Sequence, residues 1–346
     1  MKMQNVLYLS NLSKDHLHTL PLIVLYLTDG CNSRCAMCDI WRVPRQNMDM
    51  ELVHHIVKSA RRLRTQMVLL SGGEATQHPH WPSIAAQFRA HNIKVWLLTN
   101  GLLLKKQAEA IIEHVDRITV SLDAATPELY QRIRGVDALD LVLEGMRVIS
   151  KAGVHVTTRT TVMRANFRQM PFIIDVALAN GAQSVSFLAV DSDNPYAFGP
   201  RFEEQSTLPI ASENDFGPLK EAELAEFQAL LERLFISHAE HFANGQIEES
   251  PTKLRRLYDY FASLYGKASF TPPRCNAPHI SVVIGVDGTL QPCYFLPPIS
   301  ESKNLDDLNQ PEMIALRSAY RRKQRPECSR CVCPLYRGPR ALLQGF

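Results

Sequence analysis

The sequence has no apolar run long enough to cross a bilayer. Its most apolar stretch is residues 20–27, far short of the about 20 residues that a spanning helix needs. It also lacks a dominant sign of charge. Thirty-eight Lys and Arg against 35 Asp and Glu leave a formal net charge of +3, too little for a dedicated nucleic-acid binder without a concentrated patch. There is no internal repeat and no low-complexity tract, which argues against a solenoid or a fibrous chain. Lys14, Asp15, His16 and His18 precede the apolar stretch, and no small-x-small cleavage site follows it. No secretory signal is expected, and the reading is a cytoplasmic protein with no membrane and no nucleic-acid partner.

What is present is ample material for a core. Of 346 residues, 45% are hydrophobic and 21% charged. That length fits two domains, or one large α/β domain with an appendage. Strand-like runs at 22–28, 67–71, 94–99, 117–122, 154–162 and 184–190 alternate with helical spacing. Leu52, Ile56, Val57, Ala60 and Leu63 share one helical face; Ala108, Ile111 and Ile112 share another. Leu141, Leu143, Met146 and Val148 share a third. Units of about 25–35 residues imply right-handed βαβ crossovers and a parallel sheet. Six units of strands apolar throughout predict an α/β fold, a barrel or part of one.

The pattern changes after Val190. Residues 191–218, with Pro195, Pro200, Pro209 and Pro218, read as a long loop. Helices are expected over 219–239 and 252–265. A hairpin is expected from 279–286 and 289–294, turning at Asp287-Gly288. A helix over 312–323 precedes a cysteine-rich tail. The expected division is a barrel core (1–200), a helical linker (201–270) and a C-terminal cysteine-rich domain (271–346).

The eight cysteines fall in two tight groups, a pattern that favours metal over disulfides in an intracellular chain. Cys31, Cys35 and Cys38 follow the first strand. Three thiolates are one short of a closed zinc site, for which Asp39, His54 or His55 would be the fourth ligand. They are also one short of a fully ligated [4Fe–4S] cluster and would leave one iron open. Loops after barrel strands form the face where barrel active sites sit.

This Cys-x3-Cys-x2-Cys run resembles the signature of the radical S-adenosylmethionine (SAM) enzymes, which carry it after the first strand of a partial (β/α)6 barrel. Further motifs follow in the same order: Ser71-Gly72-Gly73-Glu74 after the second strand, Thr99-Asn100-Gly101 after the third, and Ser121-Leu122-Asp123 then Arg132 to Gly135 after the fourth. The resemblance covers residues 20 to about 190. It implies a SAM-binding [4Fe–4S] cluster on Cys31, Cys35 and Cys38. It implies that Gly72, Gly73 and Glu74 hold the methionine amino group, and that Ser121 reaches the ribose or methionine. Arg134, or else Arg132, would pair with the carboxylate, with Arg159 and Asn166 as further candidates. Met37 stands where the family commonly has an aromatic facing the adenine, and Ala75 stands where it has proline.

The second group, Cys275-x12-Gly288-x4-Cys293, then Cys328-x2-Cys331, resembles the Twitch domain, the shorter relative of the SPASM domain. The resemblance implies an auxiliary [4Fe–4S] cluster on Cys275, Cys293, Cys328 and Cys331. A four-cysteine zinc site has the same spacing. Cys333 is a substitute ligand, a free thiol or a buried small residue. The implied activity is a radical SAM oxidoreductase acting on a small molecule, with a peptide or protein substrate as the alternative. A peptide-binding domain is not expected in the 20 or so residues before the first strand. A flavodoxin- or ferredoxin-type electron donor is the implied partner, with Arg321, Arg322, Lys323 and Arg325 as a basic docking run.

Overall fold

A computed structural model describes residues 3–191, 194, 215–271, 273–299 and 304–344. A short helix, α1 (Met3–Ser10), precedes the alternating core: β1 (Leu22–Thr28), α2 (Met50–Arg62), β2 (Met67–Gly72), α3 (Trp81–Arg89), β3 (Lys94–Thr99), α4 (Ala108–His114), β4 (Arg117–Ser121), α5 (Pro127–Arg134), α6 (Leu139–Lys151), β5 (His155–Val162), α7 (Met170–Ala179) and β6 (Ser184–Ala189). Then come α8 (Leu224–Ser237), α9 (Ala239–Ala243), α10 (Pro251–Ser263), α11 (Ala277–Ile280), β7 (Ser281–Ile284), β8 (Leu290–Gln291), α12 (Pro311–Arg321) and α13 (Pro339–Gln344). The expected loop at 191–218 falls largely outside the described residues. Among the described residues no helix is long and apolar enough to cross a membrane.

The strands form one eight-stranded sheet in the order β6-β5-β4-β3-β2-β1-β7-β8. All pairs are parallel except β7 with β8. This is a partial α/β barrel. Residues paired in register share a face, because side chains alternate along a strand. Ile23, Leu25, Val68, Leu70, Val95 and Leu97 lie in the main core with the helices. The opposite, inner face is apolar at one end, where Leu22, Val24, Met67, Leu69 and Val283 cluster against Tyr26 and Trp96. Towards β4, β5 and β6 it turns polar, through Thr119, Ser121, Arg159 and Ser186.

Three expectations need correction. The buried stripe of α6 is Val142, Leu143, Met146 and Ile149, while Leu141 is 41% exposed; on α4, Ile112 is 42% exposed. The stripe turns towards the side on which the helix meets the sheet, and that rotation is a tertiary property. The hairpin's first segment is partly helical, as α11, and only residues 281–284 are strand. That strand pairs with β1, Leu22 opposite Ser281, so the C-terminal hairpin extends the barrel sheet.

Candidate functional site

Thr28 ends β1, and the loop that follows carries Cys31, Cys35 and Cys38 across the C-terminal edge of the sheet. Cys35 is buried; the other two are half-buried. The loop is clamped from two sides. From β2, the Gly73 N–H donates to the Thr28 carbonyl at 2.7 Å and the Glu74 N–H to the Gly30 carbonyl at 2.8 Å. From the end of α5, the Arg134 and Ile133 carbonyls accept the Arg34 N–H at 3.1 Å and the Ala36 N–H at 2.9 Å. Those last-turn carbonyls have no partner within their own helix. The approach excludes side chains: a Cβ on Gly72 would lie 2.4 Å from the Thr28 carbonyl, and one on Gly73 2.3 Å from that of Gly30.

Glu74 is buried, and its carboxylate accepts from Thr76 Oγ1 at 2.5 Å, Thr76 N at 3.3 Å, Thr99 Oγ1 at 2.9 Å and Asn100 N at 2.7 Å. Burial raises its pKa against these four bonds. The side chain ties the ends of β2 and β3 together. Asn100 then reaches the loop, donating from Nδ2 to Asn32 Oδ1 at 2.7 Å and to Cys31 Sγ at 3.8 Å.

Arg134 is buried and pairs with Asp123 at 3.0 Å. Burial opposes its charge, but Cys35 and Asp123 outweigh that and raise its pKa. Its Nε and the Tyr130 hydroxyl are buried without hydrogen-bond partners. Asp123, whose partner role the sequence reading missed, also accepts the Thr161 N–H at 2.8 Å. Arg132 points away, to Asp215 at 2.7 Å and over the Phe216 ring. Asn166 is spent on the Asp123 and Thr161 carbonyls and the Met163 N–H. Ser121 is half-buried at the end of β4, opposite Arg159, and Met37 is buried beside the cysteines.

The thiols fit an iron–sulfur cluster chemically. Burial pushes all three up, Cys38 to about 12 with Cys35 and Cys31 adding to it, while Arg134 acts the other way. Thiolates in such a place need added positive charge, which iron supplies. The Ser33 N–H donates to Cys31 Sγ at 3.5 Å. Among the described residues no three His, Cys, Asp or Glu side chains close around a single ion. Asp39 pairs with Arg42, and His54 and His55 are exposed on α2.

The five remaining thiols gather at the C-terminal end. Burial raises Cys293, Cys328 (to about 11), Cys331 and Cys333, and neighbouring thiols of the same group, Cys275 among them, add to each. Backbone N–H groups donate to sulfur here too: Ala277 to Cys275 at 3.5 Å and Phe295 to Cys293 at 3.3 Å. The charges of Arg159 and Lys253 oppose the rise at Cys333, while that of Glu249 adds to it. Tyr294, next to Cys293, packs on Tyr26 of β1 with ring centroids 6.1 Å apart. Its position beside a cysteine was the signal in the sequence.

Residues 25–176 match the family model of the Radical SAM superfamily. A probable GTP 3',8-cyclase of Thermococcus kodakarensis is 34% identical over 142 residues, 40% of this chain and 46% of that protein. An AdoMet-dependent heme synthase of Methanosarcina barkeri is 30% identical over 170 residues, 46% of this chain and 48% of that protein. The chain thus spans about half the length of the curated relatives it matches. Among solved structures, anSMEcpe with bound AdoMet superposes with TM-score 0.61 at 19% identity, covering 91% of this chain and 89% of that one. Streptococcus suis SuiB bound to its precursor peptide SuiA gives 0.60 at 16%, covering 90% and 70%. These two are likenesses of fold.

Proposed function

Residues 25–176 of this chain form a radical SAM domain, and from that premise we propose a radical SAM oxidoreductase that acts on a small molecule. Such a domain binds a [4Fe–4S] cluster and SAM. A [4Fe–4S] cluster held by Cys31, Cys35 and Cys38 would supply the electron for reductive cleavage of SAM, and with it the chemistry of hydrogen-atom abstraction from the substrate. The protein orients the reactants and excludes water.

In this reading Cys31, Cys35 and Cys38 are the three ligands. The carbonyl groups of the Gly72–Gly73 segment receive the SAM ammonium, and Glu74 positions that segment through Thr99 and Asn100. Arg134 offers its unpartnered Nε to the SAM carboxylate while Asp123 steadies the guanidinium. Ser121 reaches the ribose, and Met37 lines the adenine side. Cys275, Cys293, Cys328 and Cys331 would hold an auxiliary [4Fe–4S] cluster, which would supply an electron-accepting group. A small acidic flavodoxin or ferredoxin supplies the first electron.

The observation that carries this reading is the double clamp on the cysteine loop. It holds Cys31, Cys35 and Cys38 at the C-terminal edge of a parallel sheet, which favours their acting together as ligands. A small substrate is favoured because the sequence relatives carry names of a GTP cyclase and a heme synthase; the peptide-bound neighbours share only the fold. Anaerobic reconstitution tests it. Two cubanes require about eight iron per chain, and dithionite with SAM should yield 5′-deoxyadenosine. Cys35→Ala should abolish that product and remove about four iron. Product formation in Cys35→Ala, or zinc in place of iron, would overturn the proposal.

A further inference from the structure

The inner face of the sheet carries two arginines, Arg117 and Arg159, separated by the row of Thr119 and Thr157. Arg117 is neutralised: its guanidinium reaches Glu248 at 2.6 Å and Thr157 Oγ1 at 3.0 Å. Arg159 is different. It stands on β5 between Ser121 of β4 and Ser186 of β6, near the C-terminal end of the strand. No carboxylate among the described residues pairs with it, and its Nε is buried without a hydrogen-bond partner. The nearby acid is already committed: Glu249 receives Ser186 Oγ at 3.0 Å, the Phe187 N–H at 2.9 Å and Lys253 Nζ at 3.2 Å.

Arg159 also acts electrostatically on two groups of the C-terminal region, the Cys333 thiol and the Tyr294 hydroxyl. The Tyr294 hydroxyl is buried beside Ser71 but makes no hydrogen bond of acceptable geometry. The Arg159 Nε and the Tyr294 hydroxyl are thus both buried without a hydrogen-bond partner, and near enough for the guanidinium to act on the phenol. Buried donors in native structures are nearly always satisfied. An anion is the ligand that satisfies both, and a planar guanidinium fork suits a carboxylate or a phosphate.

We propose that Arg159, with Tyr294 beside it, anchors an anionic group of the substrate, a carboxylate or a phosphate, between the two cysteine groups. The proposal rests on the radical SAM reading only in calling that ligand the substrate. SAM's own carboxylate has a separate arginine, Arg134, which lies beside Cys35 rather than Cys333.

The experiment uses the reconstituted full chain with saturating SAM, so that SAM's carboxylate is already placed. Inorganic phosphate and malonate are titrated, and binding is read from the broadening of their phosphorus and proton NMR lines. At least one anion should bind, and Arg159→Gln should weaken it by about 10-fold or more. Arg159→Lys, which keeps the charge but not the fork, should fall between. SAM affinity and the thermal midpoint should stay as in the wild type. A preference for phosphate marks a phosphate ester as substrate, and a preference for malonate a carboxylate. Failure of the wild type to bind either anion, or equal binding by Arg159→Gln, overturns the proposal. So does an equal loss of SAM affinity in Arg159→Gln, which would move Arg159 into the SAM site. Failure of the radical SAM reading would show separately, as a wild type that neither binds nor cleaves SAM.

Discussion

Four hydrogen bonds converge on the carboxylate of Glu74, all from groups at the ends of β2 and β3. An amide in its place would turn an N–H₂ towards donors and leave at least one of them unsatisfied. Glu74→Gln should therefore lower stability by about 2 kcal/mol, measurable by urea unfolding of the apoprotein. It should also reduce iron uptake at the first site, because Asn100, which Glu74 positions, donates to Cys31 and Asn32. Normal iron content with unchanged stability would remove Glu74 from the positioning role. Gly73 makes the same point sterically. No side chain fits between it and Gly30, so the glycine pair is required by the cysteine loop before any ligand is considered.

At the scale of elements, the N-terminal segment and α12 form a clasp around α11. Arg317 is fully buried and donates to the carbonyls of Asp15 at 2.6 Å and Leu308 at 2.7 Å and to Asn309 Oδ1 at 3.1 Å. Arg317→Met should cost about 2 kcal/mol or more by orphaning those acceptors, seen as an earlier unfolding transition. His279 on α11 donates from Nε2 to Asp15 at 3.0 Å, and Arg321 holds the same carboxylate at 2.9 Å. Burial pushes His279 down to about 4, the Asp15 bond opposing and Arg321 and Arg317 assisting. The unfolded chain takes up this proton near pH 6.5, while the folded chain resists until about pH 4. Stability is therefore full above pH 6.5 and falls as pH drops, by roughly 1 kcal/mol between pH 6.5 and 5.5. His279→Gln should flatten that slope in urea titrations. The clasp also occupies part of the basic run: Arg321 bonds Asp15 and the Leu12 and Lys14 carbonyls, and Arg325 pairs with Glu327. Of that run, Arg322 and Lys323 remain exposed.

For the whole molecule, β7 is the decisive strand. By pairing with β1 it carries the segment between Cys275 and Cys293 onto the edge of the barrel sheet. Tyr294, beside Cys293, then packs on Tyr26 at the inner face. On the proposed ligand set, a triple Cys31/Cys35/Cys38→Ala protein should retain about four iron per chain, and its spectrum should not respond to SAM. Cys331→Ala in that background should lower the iron content, whereas Cys333→Ala should leave it unchanged. The reverse outcome, read by iron analysis, makes Cys333 the ligand in place of Cys331.

Local pattern alone determined the six barrel strands, to within a residue or two at each end. Each is an apolar run bounded by helix or turn residues, and such runs need no partner to be recognised. It also located the first cysteine loop, since three cysteines within eight residues are a local object. The Asp-Gly turn was equally legible. Tertiary structure alone decided the pairing of β7 with β1, because a parallel register between distant segments leaves no local trace. Asp15 and His279 meet across 264 residues for the same reason. It decided which helix faces are buried, exposing Ile112 and Leu141, because rotation against the sheet follows from packing. And it decided the charges of the site: that Arg134 is held by Asp123, that Arg132 turns outward to Asp215, and that no carboxylate among the described residues pairs with Arg159, whose Nε is buried without a hydrogen-bond partner. A sequence shows which residues carry charge, but whether a charge is compensated depends on what folding places within a few ångströms of it.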